Sequence, residues 1–196
     1  MRTLSLLFSL LFSTLTFSQN QADSKMKNIL KEISIKAIEL GDHYSDFSQE
    51  QKDSVWIGYE PSTKKEIEQL EKRLGVSLPK DFVEFLLITN GFHSATGVDP
   101  GFGTTHQIDW LKNADPELIE IWGRNTEVGS SLERAIQVGG FGEEQHFFLI
   151  PPSKENPKWE YWEFSAWAPG ETVHHSMLEY FRSVLDTTKR FLENKK

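Results

Sequence analysis

The stretch that most constrains the fold runs from Thr63 to Gly91, because it predicts two short helices with a capping residue at nearly every end. Thr63 and Glu66 have the spacing of a capping box, in which both side chains satisfy free backbone N–H groups of the first turn. Ile67, Leu70 and Leu74 then recur at helical spacing and form one apolar stripe. Gly75 follows this stripe, at a position where helices commonly end with positive φ.

The second predicted helix starts near Pro79, because proline is tolerated in a first helical turn. Phe82, Phe85 and Leu86 give it a wide apolar face. Asn90-Gly91 is expected to stop it, since both residues accept the left-handed conformation. These patterns predict a helical pair docked on an apolar surface, and they carry no chemistry of their own.

The same stretch carries a family pattern. Its fixed positions are Ile67, Leu70-Glu71, Leu74-Gly75, Leu78-Pro79, Phe82, Phe85-Leu86 and Asn90-Gly91. This pattern resembles that of the SMI1/KNR4 family, also called the SUKH superfamily. The resemblance implies an α+β fold, with a mixed, mainly antiparallel β-sheet and helices packed on one side. It also implies a protein-binding module without catalytic residues.

The first residues form a different kind of segment. Arg2 provides a positive start, residues 4–17 are apolar apart from Ser and Thr, and Ser18 is followed by polar residues. This layout is typical of a secretory signal peptide over residues 1–18. We therefore expect an exported protein, periplasmic or secreted, with no integral membrane span after cleavage. An uncleaved N-terminal anchor is the alternative.

The remaining chain divides into an N-terminal addition and a domain. Residues 19–55 predict an amphipathic helix that ends at Gly41 and a polar loop or linker over residues 43–54. Residues 56–192 are expected to form a domain that resembles the SMI1/KNR4 family. Its later half predicts strands at 134–138, 146–150, 158–167 and 171–174, and then a final helix that begins at the Ser176–Glu179 capping box.

Composition excludes several functions. The formal net charge of −8 argues against a nucleic-acid partner, which requires a basic surface. The absence of cysteine excludes disulfides and thiol nucleophiles. His93, Asp99, His106 and Asp109 could be grouped as metal ligands, but their spacing matches no known site. The glycine-rich loop at 101–103 lacks the lysine of a phosphate-binding loop. We therefore predict neither a metal nor a cofactor.

Catalysis is not expected. Glu143-Glu144 or Glu160 with Glu163 could supply a carboxylate pair for glycoside hydrolysis, but 29 acidic residues make such pairs common by chance. His174-His175 is expected to lie on a strand, where adjacent side chains point to opposite faces.

Binding of a protein partner is the expected function. The resemblance implies an immunity or regulatory protein, and the acidic charge fits a basic partner such as a toxin. Aromatic anchors and an acidic turn are the expected contact residues. The candidate partner-binding residues are Trp110, Phe141, Glu143, Glu144, Trp159, Trp162 and Trp167. The alternative is an envelope protein that binds or acts on carbohydrate through the predicted strand 158–167, which we call the aromatic strand.

Overall fold

The computed structural model describes residues 25–123, 126–165 and 170–195. The predicted signal peptide at 1–18 and the candidate residue Trp167 lie outside these residues. The helices are α1 (residues 25–40), α2 (Gln49–Ser54), α3 (Lys64–Leu74), α4 (Lys80–Ile88), α5 (Leu111–Ala114), α6 (Pro116–Trp122), α7 (Glu127–Leu132) and α8 (Met177–Asn194). The strands are β1 (Asp109–Trp110), β2 (Ile136–Gly139), β3 (Gln145–Ile150), β4 (Glu160–Ser165) and β5 (Glu171–His174).

The strands form one antiparallel sheet in the order β1-β2-β3-β4-β5. Each strand pairs with its neighbour in sequence, and β3 pairs with β4 along its whole length, from Gln145 opposite Ser165 to Ile150 opposite Glu160. The structure therefore confirms the α+β class and the antiparallel sheet. His174 and His175 do differ in burial, since His174 is buried and His175 is exposed.

The larger of the two hydrophobic cores, which we call the main core, lies on one face of the sheet. Phe147 and Leu149 of β3 point into it, and so does Tyr161 of β4. The predicted stripes of α3 and α4 and the apolar side of α8 cover this face. These helical residues are Ile67, Leu70, Leu74, Phe82, Phe85, Leu86, Met177, Phe181, Val184 and Leu185. The stretch from Thr63 to Gly91 thus packs on the sheet as its sequence predicts.

Short helices cover the second face as well. Phe148 and Ile150 alternate with the main-core residues of β3, and they contact apolar residues of α5, α6 and α7. Local sequence explains the start of α6, because the Asp115 side chain accepts a hydrogen bond from the N–H of Leu118 and Pro116 takes the first helical position. Both faces of β3 are therefore buried, as its nearly continuous apolar sequence indicates.

The helix ends differ in detail from expectation. The Thr63–Glu66 capping box is present, and Gly75 ends α3 with φ of 71°. However, α4 ends at Ile88 rather than at Asn90-Gly91, because Thr89 turns to extended backbone and its hydroxyl donates to the carbonyl of Tyr59. Gly91 does have positive φ, but it lies in the chain that follows the helix.

Asp81 joins three elements of the main core. Its Oδ1 accepts a hydrogen bond from the Tyr161 hydroxyl of β4 at 2.5 Å. Its Oδ2 accepts the N–H of Met177 at 2.9 Å, at the start of α8. One carboxylate in the first turn of α4 therefore fixes both the sheet and the C-terminal helix.

The N-terminal addition is part of the main core. Met26, Leu30, Ile33 and Ala37 of α1 are buried there. The segment 43–54, expected to be a loop or linker, contains a 3₁₀ turn at Tyr44–Asp46 and the capped helix α2. The linker prediction missed α2 because its residues are polar, so no apolar period marks the helix.

Isolated β-bridges extend the sheet from the end of β2 towards the N-terminal segment, which we define as residues 25–60. Gly139 bridges Phe102, Phe102 bridges Phe92, and Phe92 bridges Gly58. These bridges place the loops after α4 beside the β2–β3 turn. Within the described residues, none of the helices combines the length and the apolar character needed to cross a bilayer.

Candidate functional site

A cleft of about 360 Å³ opens where the bridged loops meet the β2–β3 turn. Its lining comes from segments 43–47, 92–103 and 141–145, together with Tyr59 and Gln107. We call it the loop cleft. Its size falls within the range of about 300–1,000 Å³ that is usual for binding sites of small groups.

Asp99 holds one wall of the loop cleft in place. Its carboxylate accepts hydrogen bonds from the N–H groups of Ala95 and Thr96, both at 2.9 Å, and from the Thr96 hydroxyl. Burial raises the pKa of Asp99, and the hydrogen bonds from Thr96 and Ala95 oppose that rise. The loop 95–99 is therefore fixed by its own buried acid.

The β2–β3 turn is tied to the same wall at two points. The Gln145 side chain donates to the carbonyl of Gly97 at 2.9 Å, and the Glu143 carboxylate accepts the N–H of Gly101 at 3.3 Å. These bonds link residues more than 40 positions apart. The two walls of the loop cleft are thus held at a defined separation.

The N-terminal segment supplies a third wall. His43 Nδ1 and Asp46 Oδ2 are 2.9 Å apart, and Phe47 packs edge-on against His93. His93 also contacts the ring of Tyr59, with 5.0 Å between ring centroids. Burial lowers the pKa of His93, although the negative charge of Asp46 opposes this effect.

Two glycines are required by close contacts at the cleft, Gly103 between two walls and Gly140 within the β2–β3 turn. A Cβ on Gly103 would lie 2.4 Å from the ring of Phe141, so this ring rests directly on the glycine backbone. A Cβ on Gly140 would lie 1.8 Å from the carbonyl oxygen of Gln145, and Gly140 also has φ of 73°. A side chain at either position would displace the turn or its aromatic ring.

The turn carries the acidic part of the loop cleft. Burial raises the pKa of Glu143; the N–H of Gly101 opposes this rise, and the charge of Asp99 adds to it. Among the described residues that line the loop cleft, none is lysine or arginine. The cleft therefore combines carboxylates with two histidines and aromatic rings.

Two of the predicted contact residues line the loop cleft. These are Phe141, which is half-buried, and Glu143. Glu144 is exposed in the same turn but does not line the cleft. Both glutamates of the acidic turn are therefore exposed, but only Glu143 lines the cleft and accepts a hydrogen bond from Gly101.

The three predicted tryptophans within the described residues lie elsewhere. Trp110 and Trp159 are half-buried against the main core, and the Trp110 indole N–H donates to the carbonyl of Leu74 at 3.1 Å. Trp162 is only 4% exposed and belongs to the core on the second face of the sheet. The structure does not bring these side chains together with Phe141 and Glu143.

Several cleft residues were missed as contact residues. His43 and Asp46 come from a segment interpreted as a linker, Tyr59 lies at the start of the predicted domain, and no local pattern relates them to the turn 140–144. His93 and Asp99 were noted only as unlikely metal ligands. In the part of the chain that the structure describes, no three acidic or histidine side chains are grouped as a metal site. The glycines at 97, 101 and 103 were the available signal, since they mark close backbone approach.

Comparison with known proteins identifies the family. The comparison with curated proteins returned no match. The family model described as SMI1 / KNR4 family (SUKH-1) matches residues 61–193, more than half of the chain. This match covers α3 to α8 and the whole sheet, including the residues whose pattern resembles that family. The chain belongs to the SMI1/KNR4 family (SUKH-1).

Proposed function

We propose that this protein is an exported, non-catalytic module that binds another protein through the loop cleft. The observation that carries the proposal is the cleft itself. Gln145 donates a hydrogen bond to the carbonyl of Gly97 and Glu143 accepts one from the N–H of Gly101, so two walls are tied together, while Asp99 fixes its own loop. A site held in one geometry before binding loses less entropy when a partner docks. Family membership supports a protein as that partner.

The titratable groups of the cleft support a binding role over a catalytic one. The Asp99 carboxylate accepts hydrogen bonds within its own loop, and the Glu143 carboxylate accepts the N–H of Gly101. His43 is hydrogen-bonded to Asp46. His93 is packed between the rings of Phe47 and Tyr59, and its lowered pKa favours the neutral form. Each group therefore has a role in shaping the surface.

Export and toxin neutralisation are the finer parts of the proposal. Export rests on the apolar segment at residues 4–17, with Arg2 before it. A toxin that acts in the cell envelope fits an exported inhibitor, and the net charge of −8 favours encounter with a basic toxin. A carbohydrate ligand has weaker support, because Trp162 of the aromatic strand is buried in the core.

Affinity capture tests the binding role. The full chain would be immobilised and exposed to envelope and secreted fractions of its own source, and captured proteins would be measured by mass spectrometry. Glu143→Lys places a positive charge in the loop cleft, whereas Glu144→Lys makes the same change just outside it. We expect a protein whose capture falls about tenfold with Glu143→Lys, because a like charge opposes a basic partner.

The matched variant decides the outcome. If no captured protein distinguishes Glu143→Lys from Glu144→Lys, the loop cleft is not the binding site. The product of the gene beside this one is the first candidate for a toxin. If that product inhibits growth, co-expression of the full chain should restore growth. Growth that stays inhibited would exclude that product as a toxin neutralised by this protein.

A further inference from the structure

The loop cleft is lined on one side by residues that precede the family-matched region. His43, Asp46, Phe47 and Tyr59 lie before residue 61, whereas Phe141 and Glu143 lie inside the match. The N-terminal segment is not a detachable extension, because α1 is buried in the main core. One side of the cleft is therefore particular to a part of the chain that the family match does not cover.

Negative groups face the cleft from both sides. Asp46 comes from the N-terminal segment and Glu143 from the β2–β3 turn, and the lining also includes the buried Asp99. His43 lies 2.9 Å from the Asp46 carboxylate, but the described lining contains no lysine or arginine. A cation that entered the cleft would gain attraction from both walls and would relieve the repulsion between Glu143 and Asp99.

Aromatic rings stand beside these carboxylates. Tyr59 is 43% exposed and Phe141 is half-buried over Gly103. A lysine ammonium or arginine guanidinium is attracted to the face of an aromatic ring, and arginine also stacks on it. Carboxylates and ring faces together suit a basic side chain better than a neutral or acidic one.

We propose that the loop cleft recognises a lysine or arginine side chain of the partner protein, and that Asp46 and Tyr59 of the N-terminal segment share this recognition with Phe141 and Glu143. The proposal rests on the proposed protein-binding function and specifies its chemistry. Glu143 and Asp46 supply charge, Tyr59 and Phe141 supply ring faces, and Asp99 fixes the loop between them.

Short peptides test this chemistry without a known partner. The full chain, labelled with ¹⁵N, would be titrated with acetylated and amidated Gly-Arg-Gly, Gly-Lys-Gly and Gly-citrulline-Gly while amide signals are followed by NMR. Citrulline has nearly the shape of arginine without its charge. We expect the Arg and Lys peptides to shift the signals of Gly97, Gly101 and Gly103, and the citrulline peptide to leave them unchanged.

Conservative variants with matched controls locate the charges. Glu143→Gln retains an oxygen that can accept the N–H of Gly101, so the fold should persist. It should weaken binding of the Arg peptide about three- to tenfold, whereas Glu144→Gln should change it by less than about twofold. Asp46→Asn should weaken binding in the same way, and Asp53→Asn, in the exposed helix α2, should not.

Three results would overturn the proposal. These are a citrulline peptide that binds as well as the Arg peptide, equal effects of Glu143→Gln and Glu144→Gln, and shifted signals that lie away from the loop cleft. An Asp46→Asn variant that binds normally would overturn the part of the proposal that assigns charge recognition to Asp46. This inference alone would be refuted if the protein captures a partner in a way that depends on Glu143, but the loop cleft does not bind the Arg peptide. A cleft that binds the peptide but captures no protein would instead refute the proposed function.

Discussion

Replacement of Asp81 by alanine should destabilise this fold more than its position on a short helix suggests. The carboxylate accepts the Tyr161 hydroxyl at 2.5 Å and the N–H of Met177 at 2.9 Å. Tyr161 is 5% exposed and Met177 is fully buried, so neither donor can turn to solvent. Burial, together with the negative charge of Asp81, holds the pKa of Tyr161 well above its usual range, so its hydroxyl remains a donor.

The expected cost follows from these two donors. A buried polar group left without a partner costs about 1–3 kcal/mol, so Asp81→Ala should lose about 3–4 kcal/mol of unfolding free energy. For a chain of this size, 1 kcal/mol shifts Tm by about 2–4 °C. Urea denaturation followed by tryptophan fluorescence would measure the loss. A double-mutant cycle with Tyr161→Phe should give a coupling of about 1–2 kcal/mol.

The control is another acidic residue on the helix that Asp81 anchors. Asp186 is exposed on α8, and Asp186→Ala should change stability by no more than about 0.5 kcal/mol. A loss below about 1 kcal/mol for Asp81→Ala, or a coupling near zero with Tyr161, would refute the role assigned to this carboxylate.

Three further predictions concern single buried or constrained residues. Tyr180→Phe should stabilise the protein by about 1 kcal/mol in urea denaturation, because its buried hydroxyl has no hydrogen-bond partner among the described residues; a loss of stability would contradict this. Gly91→Val should cost about 3 kcal/mol, since φ is 106° and a Cβ would lie 2.9 Å from the Phe102 carbonyl oxygen. Gly75→Val, with positive φ but open space, should cost less, and equal losses would refute the clash. Burial lowers the pKa of His93, so the unfolded state binds more protons below pH 6.5 and stability should fall as the pH drops further. His93→Phe should reduce that fall in denaturation curves measured between about pH 7 and 5, and an unchanged slope would contradict it.

Much of the fold could be predicted because the residues involved act locally. Thr63 and Glu66 are three apart and cap α3 without help from other elements, and Asp115 with Pro116 starts α6 in the same way. The apolar run from His146 to Ile150 likewise indicates a strand buried on both faces. These signals depend on neighbours in the chain, so one sequence is enough to read them.

The candidate site could be predicted only in part. The turn with Phe141 and Glu143 was found because glycines and acids stand out from the strands around them. Tyr59 and Asp46 were missed because their contacts join segments far apart in sequence. Trp162 was predicted as a contact residue, but it is buried because α5, α6 and α7 cover the second face of the sheet. The sequence pattern did not indicate that these helices pack on this face.

By itself, the sequence determined the caps of α3, the starts of α6 and α8, the apolar faces and the family, because each depends on residue types at fixed short spacings. Only the tertiary structure decided that α1 belongs to the core and that Asp81 joins three elements. It also decided that loops from three regions close around one cleft. The physical reason is that such contacts join residues tens of positions apart, and their energies depend on burial and distance that local pattern does not contain.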